Sequence, residues 1–239
     1  MPAPDSTTTA TSSLVGPVLK RLAQVIVFVA LCASASFLAA GRLDWLRGWI
    51  YWWLYLAGLI VSSAIVLPRN PEVVAARGKM HADSKSYDKI FAGVYTILII
   101  AMPVVAALDA VRFRWSSLPF GAVYPGAGLH VLGMVPIVWA MVANPYLETA
   151  VRIQAERGHR VVDSGPYRAV RHPMYAGIIV SNLGAPLIFG SLWAFVPVAA
   201  VIMALFVRTA LEDKTLQAEL PGYREYATHT RYRLLPGVW

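Results

Sequence analysis

Six long apolar runs constrain this chain more than any other feature. Each is free of Asp, Glu, Lys and Arg, and each has the roughly 17 to 23 residues that an α-helix needs to cross a hydrocarbon core of about 30 Å. The runs are the stretch between Arg21 and Ala40 and residues 49–67, 90–108, 120–142, 173–189 and 191–207. The sequence therefore predicts an all-α, polytopic membrane helical bundle with about six transmembrane helices.

The composition supports a membrane protein, because 57% of the residues are hydrophobic and only 14% are charged, against roughly a quarter charged in a soluble domain. The net charge of +8 would suit a nucleic-acid-binding protein, but the basic residues lie in the loops between apolar runs. Nucleic acid is therefore not an expected partner, whereas membrane lipid is. The lone Cys32 lies inside an apolar run, which leaves no disulfide framework or zinc-ligand cluster.

The basic residues also predict an orientation in the membrane. With six spans, 17 of the 21 Lys and Arg residues fall on the side of the N-terminus. The other side has only Arg42, Arg47, Arg112 and Arg114. Cytoplasmic loops carry the excess of Lys and Arg, so both termini are expected in the cytoplasm. The chain is expected in the cell membrane, or in the endoplasmic reticulum membrane if the source is eukaryotic.

The chain divides into three parts by composition. Residues 1–19 form a polar leader that is predicted to be disordered, and the span that follows it is interpreted as uncleaved. Residues 20–142 contain four spans joined by ordinary loops. Residues 143–239 contain a polar loop, a tight two-span hairpin and a polar tail, and this part carries the residues that suggest chemistry.

The hairpin is predicted to bring separated polar residues together. Its arms meet at the turn signal Phe189-Gly190-Ser191, and His172 and Glu212 lie equally far from residue 192 in sequence. Arg208 and Glu212 stand at i and i+4, so they share one helix face. Taken singly, these residues read as interfacial ion pairs or as a histidine at a helix start. Together they form an ionisable cluster at membrane depth, which indicates a functional site.

Two polar segments flank the hairpin. Upstream, residues 151–168 read as an amphipathic helix that ends at Gly158, then an extended strip (residues 160–163) and a turn at Ser164-Gly165-Pro166. The segment lacks the glycine fingerprint of a dinucleotide fold and the P-loop, which argues against a Rossmann-type cofactor site. Downstream, the basic and aromatic tail reads either as an interfacial anchor or as a lid over the cofactor region.

A series of motifs in this part resembles a known family. They are Gln154, GHRVV (158–162), GPYRAVRHPMY (165–175), the R-x-x-x-E-D pattern of residues 208–213 and the tail PGYREYATHTRYRLLPGVW. Together they resemble the isoprenylcysteine carboxyl methyltransferase family, which belongs to a wider group with the phospholipid N-methyltransferases and membrane thiol methyltransferases. The likeness covers about residues 144–239, whereas the first four spans show nothing diagnostic.

The resemblance implies an integral-membrane enzyme that uses S-adenosylmethionine in a C-terminal cytoplasmic region, between the last helices and the tail. At matching positions it implies cofactor contacts for His159, Arg160, Val161, Val162, Tyr167, His172, Pro173, Met174, Tyr175 and Glu212, with Gln154 as a further contributor. Arg208 matches the position that faces the substrate, so Arg208 and Glu212 are the implied catalytic residues. Asp213 stands where many relatives carry a second Glu and is left outside the predicted site.

The chemistry of these residues suits methyl transfer. The reaction is an in-line displacement whose main requirement is alignment of the nucleophile, the methyl group and the leaving sulfur. A carboxylate such as Glu212 can pair with the ammonium group of the cofactor, and the fork of Arg208 suits an anionic acceptor. The acceptor itself stays open among a carboxylate, a lipid amine and a thiol, each on a lipophilic or lipidated molecule.

Two other functions remain open from the sequence. An NADPH-dependent sterol or enone reductase has a similar C-terminal hairpin, although Asn commonly precedes the tyrosine there, whereas Met174 precedes Tyr175 here. A membrane subunit without enzymatic activity could keep the hairpin for assembly alone.

Overall fold

The computed structural model describes residues 6–77 and 85–239. In this part of the chain the secondary structure is helical, with no strand, which confirms the predicted fold class. The helices are α1 (Ser6–Ala40), α2 (Leu46–Val66), α3 (Pro71–Ala76), α4 (Ser86–Ala107), α5 (Val123–Ala143), α6 (Pro173–Phe189), α7 (Phe195–Glu219) and α8 (Tyr223–His229). Among the described helices, α1, α2, α4, α5 and α7 are long and apolar enough to cross a membrane, and α6 has 17 residues.

The first helix begins earlier than the sequence suggested. Residues 6–19 are helical rather than disordered, so that part of the leader prediction is wrong, and residues 1–5 lie outside the described chain. The helix continues through Pro17, which has no N–H to donate and so removes one bond of the ladder, and each further residue of the extension adds one backbone hydrogen bond.

The predicted hairpin is present, with shifted boundaries in its second arm. Helix α6 begins at Pro173 and ends at Gly190, whose φ of 82° lies in the left-handed region that favours glycine. Helix α7 begins at Phe195 rather than 191 and continues to Glu219, well beyond the predicted end at 207. The extra turns are polar outside but bury Arg208, Thr209 and Asp213 on one face, which keeps them helical.

Helices α5 and α6 pack with their backbones in contact. A Cβ atom added to Gly133 would lie 2.5 Å from the carbonyl oxygen of Gly177, and one added to Gly184 would lie 2.3 Å from that of Gly126. Between these two glycine pairs, the hydroxyl of Ser181 and Nδ1 of His130 are 2.9 Å apart. Small residues of this kind allow membrane helices to approach closely.

The bundle has two ends, named here by residues of α6. At the Gly190 end, Arg47 of α2 packs on Gly190 and donates to the carbonyl oxygen of Leu118 at 2.8 Å. At the His172 end, the loop 144–172 meets the C-terminal tail, and His172 N–H donates to the carbonyl oxygen of Arg233 at 2.9 Å. The loops that the orientation model assigned to opposite sides thus lie at opposite ends.

The predicted amphipathic helix before Gly158 is wrong. Only Ala155–Arg157 forms a 3-10 turn, which ends at Gly158 with φ 62°. The backbone upstream is held by other elements instead, because Val151 N–H donates to Asp88 of α4 and the carbonyl oxygen of Thr149 accepts from Arg208 of α7. These tertiary hydrogen bonds replace the bonds of a local helix.

Candidate active site

A cavity of about 550 Å³, open to solvent, lies at the His172 end of the bundle. Every residue predicted to contact the cofactor lines it except Gln154. The further lining residues, which the sequence did not single out, are Asn144, Leu147, Arg171, Leu216, Leu220, Tyr223 and Tyr226.

The inner wall of the cavity is a chain of hydrogen bonds that begins at Glu212. The hydroxyl of Tyr175 donates to Glu212 Oε2 at 2.7 Å and accepts from Arg208 Nε at 2.8 Å. The hairpin therefore brings the three residues together as predicted. The carboxylate of Glu212 is the charged end of this chain that reaches the cavity, with 18% of its side chain exposed.

Arg208 lies behind this wall and does not line the cavity. Its side chain is 3% exposed, donates to Asp88 Oδ1 at 2.5 Å and to the carbonyl oxygen of Thr149 at 2.7 Å, and stacks on the ring of Phe91. The structure therefore shows Arg208 as a buried support for Tyr175, and its role toward a substrate stays a prediction. Asp88 was missed by the sequence analysis, although an acidic residue just before an apolar run was a signal.

Asp213, left outside the predicted site, is the centre of a second network. Its fully buried carboxylate accepts from Arg171 Nε at 2.7 Å, from Arg233 Nε at 2.9 Å and from the hydroxyl of Tyr223 at 3.1 Å. Arg171 in turn donates to the carbonyl oxygens of Thr230 and Arg231. One carboxylate on α7 thus holds the start of α6 and the tail together.

The tail forms one wall of the cavity, and the choice between an interfacial anchor and a lid stays a prediction. The hydroxyl of Tyr226 in α8 donates to the carbonyl oxygen of Tyr167 at 2.7 Å, and Tyr223 and Tyr226 both line the cavity. Burial raises the pKa of Tyr226 to about 12 and also raises the pKa values of Tyr167 and Tyr223. All three phenols are therefore neutral hydrogen-bonding groups at physiological pH.

The strip that follows Gly158 forms another wall. His159 stacks on Tyr146 with ring centroids 4.4 Å apart, and its Nδ1 accepts the backbone N–H of Gln154 at 3.3 Å. Burial, followed by the nearby charge of Arg157, lowers the pKa of His159. Gln154 is buried and donates from its amide to the carbonyl oxygen of Tyr146. Gln154 thus fixes the loop that presents His159, and a direct cofactor contact for it stays a prediction.

His172 stands at the start of α6, where Pro173 takes the first helical position. Its ring is parallel to that of Tyr175, with centroids 5.8 Å apart, and its Nδ1 lies 3.8 Å from Glu212 Oε1. Its Nε2 is buried, lies 3.5 Å from Asp213 Oδ1 and makes no hydrogen bond in the described structure. His172 therefore lies between the Glu212 and Asp213 networks.

Fold and site together define the class, a polytopic helical membrane protein with a polar, aromatic cavity at one end of its last hairpin. Comparison with known proteins then shows which family the chain resembles. Residues 126–218 match the isoprenylcysteine carboxyl methyltransferase (ICMT) family, which confirms the resemblance drawn from the motifs. The chain is also 32% identical over 140 residues to the cobalt-zinc-cadmium resistance protein CzcN of Cupriavidus metallidurans, a match that spans 58% of this chain and 60% of that protein.

Proposed function

We propose that this protein is an integral-membrane methyltransferase that uses S-adenosylmethionine and methylates a lipophilic or membrane-accessible acceptor. The observation that carries the proposal is the cavity at the His172 end. It gathers residues from the strip after Gly158, from the start of α6 and from α7, all at positions that match the family. Both termini are proposed to lie in the cytoplasm, on the side of this cavity.

The residues present fit this cofactor. The parallel rings of His172 and Tyr175 and the phenols of the tail offer flat surfaces and hydrogen bonds for an adenosine group. The buried Nε2 of His172 makes no hydrogen bond in the described structure, although it lies 3.5 Å from Asp213 Oδ1. Glu212 offers a carboxylate that can bind an ammonium group. The nearest basic nitrogen atoms, of His172 and Arg208, each lie 3.8 Å from this carboxylate and so do not form a close ion pair with it.

When bound, S-adenosylmethionine supplies an electrophilic methyl group on a sulfonium centre. The protein then has to position the methyl group and the acceptor in line and to exclude water. Tyr175, held between Arg208 and Glu212, has both its donor and its acceptor engaged, so its ring cannot rotate away from the cavity. Tyr223 and Tyr226 of the tail line the cavity and reduce the space that is open to water. Holding reactants in line in this way can lower a barrier by roughly 7–11 kcal/mol.

The acceptor is proposed to approach from the membrane side of Met174, where the cavity wall meets apolar helices. On that side the guanidinium of Arg77 donates to the sulfur of Met174 at 3.1 Å. A carboxylate acceptor would need no base, whereas a thiol or an amine would have to lose a proton, for which His172 and Glu212 are the candidates in the cavity.

Calorimetric titration of the purified protein with S-adenosylhomocysteine tests the cofactor site. We expect Glu212→Gln to weaken binding by roughly 10- to 150-fold, the range for a lost charge-assisted hydrogen bond. Glu219→Gln is the matched control, because Glu219 lies on the same helix, pairs with Lys85 and does not line the cavity. Equal affinity in both variants would contradict the proposed site.

Incubation of membranes with radiolabelled S-adenosylmethionine then tests the reaction and identifies the acceptor through the labelled product. Labelled lipophilic product is expected from membranes that hold the natural protein and not from those that hold Glu212→Gln. Thermal protection by NADPH, with none by S-adenosylmethionine, would instead favour a reductase. Absence of any cofactor binding, together with a co-purifying partner, would favour a membrane subunit.

A further inference from the structure

The Gly190 end of the bundle contains a second, wider recess, with an empty volume of about 820 Å³. It lies between the α1–α2 loop, the segment after α4 and the turn of the α6–α7 hairpin. The methyl-transfer proposal makes no use of it, because the cofactor cavity opens at the other end. Three arginines line it, namely Arg42, Arg47 and Arg114.

These arginines are the exceptions in the charge distribution of the chain. Only four of its 21 Lys and Arg residues belong to the loops at this end, and membrane insertion disfavours basic residues in loops that cross the bilayer. Three of the four line one recess, and the guanidinium of the fourth, Arg112, packs on Gly41 beside it. The basic residues of this end therefore lie around this recess.

The acidic groups near the recess are already occupied. Asp44 accepts two hydrogen bonds of 2.5 Å from Arg42. Asp109 is fully buried and accepts from Ser116, Ser191 and the N–H of Trp193. Arg47 reaches a carbonyl oxygen and the ring of Phe120, but its Nη1 is buried without a hydrogen-bond partner in the described structure. The guanidinium of Arg47 therefore has no acidic side chain as a partner in the described structure.

The surroundings of the recess place it at the level of lipid headgroups. Large aromatic side chains are exposed around this end, and Trp49, Phe113, Trp115 and Trp193 are each between 41% and 61% exposed. Exposed aromatic residues of this kind mark the interface between a membrane and water. The floor of the recess is apolar, formed by Trp45, Leu118 and Phe189, so it suits a ligand with both an anionic group and acyl chains.

We propose that this recess binds the headgroup of an anionic phospholipid, with its phosphate between Arg47 and Arg114. Arginine binds a phosphate through charge-assisted, often bidentate hydrogen bonds, and this chemistry does not depend on which side of the membrane the recess faces. The lipid would contact Gly190 and Phe189, and would therefore hold the turn of the hairpin whose other end carries the cofactor cavity. The inference does not depend on the methyltransferase activity.

The test uses the full chain, purified and delipidated in a mild non-ionic detergent. Phosphatidylglycerol, phosphatidylcholine and inorganic phosphate are added separately, and thermal unfolding and native mass spectrometry are recorded. We expect phosphatidylglycerol to raise the unfolding temperature and to remain bound, with little effect of the other two. In Arg47→Gln/Arg114→Gln the affinity should fall by roughly tenfold or more, since each arginine contributes to the attraction.

Arg69→Gln is the matched control, because Arg69 is an exposed arginine at the opposite end of α2. It should keep the full response to phosphatidylglycerol. If the double variant does not fold, Arg114→Glu replaces it, since Arg114 is exposed and bears no structural hydrogen bond of its side chain in the described chain. An equal response to phosphatidylcholine, to phosphate alone, or in the arginine variants would overturn the proposal.

Discussion

The two ends of the hairpin each bury a carboxylate completely, and they do so in different ways. At the His172 end, Asp213 is surrounded by the guanidinium groups of Arg171 and Arg233, which come from separate segments. At the Gly190 end, Asp109 accepts only from hydroxyl and backbone N–H groups, donated by Ser116, Ser191 and Trp193.

The difference shows what each end is built for. Neutral donors around Asp109 tie a turn to a neighbouring loop and stabilise its negative charge by hydrogen bonds alone, so no buried cation depends on this carboxylate. Arginines around Asp213 instead make the start of α6 and the tail depend on one buried negative charge, and removing one partner of such a set leaves the others uncompensated. The cavity end is therefore the more sensitive of the two to single substitutions.

The largest effect is expected from Asp213→Asn, which leaves the buried Arg171 and the partly exposed Arg233 without their counter-charge. The free energy of unfolding should fall by about 3–5 kcal/mol, and the tail should detach from the cavity. Thermal unfolding in detergent and limited proteolysis of the tail would measure both effects. Asp163→Asn, at an exposed position, serves as the control and should change neither. If the tail of Asp213→Asn resisted proteolysis as well as that of the natural protein, the proposed difference between the two ends would be wrong.

A smaller loss is expected from Tyr175→Phe, which removes the hydroxyl between Arg208 and Glu212. Both of its partners are charged, so the free energy of unfolding should fall by about 1.5–3 kcal/mol. Binding of S-adenosylhomocysteine should weaken as well, because Glu212 loses its anchor. Tyr232→Phe, an exposed tail position, provides the comparison. Unchanged stability with unchanged binding would show that the wall does not depend on this hydroxyl.

Asp109→Asn tests the other end and should cost less than Asp213→Asn, about 1.5–3 kcal/mol, since hydrogen bonds to a charged acceptor are lost. The serine hydroxyls can turn to meet the new N–H groups, but one of the two backbone N–H groups, of Ser116 or Trp193, loses its acceptor oxygen. Affinity for S-adenosylhomocysteine should stay the same, since Asp109 lies at the end away from the cavity. If this variant destabilised the protein as much as Asp213→Asn, the two ends would not differ in the way described.

The smallest effect concerns pH. The pKa of His159 is lowered in the folded protein, so unfolded chains take up its proton first as the solution becomes acidic. Its contribution to stability is complete above the ordinary pKa of about 6.5 and is lost as the pH falls below that value toward the folded pKa. Denaturation at pH 7.5 and pH 5.5 should therefore show a smaller difference for His159→Gln than for the natural protein. If the stability difference between the two pH values were the same in both proteins, His159 would not contribute to the pH dependence.

The sequence predicted those parts of the molecule that rest on apolar runs and turn residues. The start of α6 at Pro173 and its end at Gly190 follow from local rules, and folding that hairpin was enough to bring Tyr175 to Glu212. The cofactor-lining positions came from the family resemblance rather than from physical reasoning, and only Gln154 lies outside the cavity wall.

The missed features depend on contacts between distant segments. Asp88 belongs to α4, 120 residues before its partner Arg208, and no local pattern joins the two. The helix predicted before Gly158 does not form because Asp88 and Arg208 hold its backbone instead. The importance of Asp213 was missed for the same reason, since Arg171 and Arg233 reach it only in the folded chain.

The glycine contacts between α5 and α6 decide which part of the protein can admit a ligand. Two helices whose main chains touch at two heights cannot slide or separate without losing that fit, so α6 gives the cavity one wall that stays in place. Any rearrangement that accompanies ligand exchange should therefore occur in the strip after Gly158 and in the tail, which form the other walls.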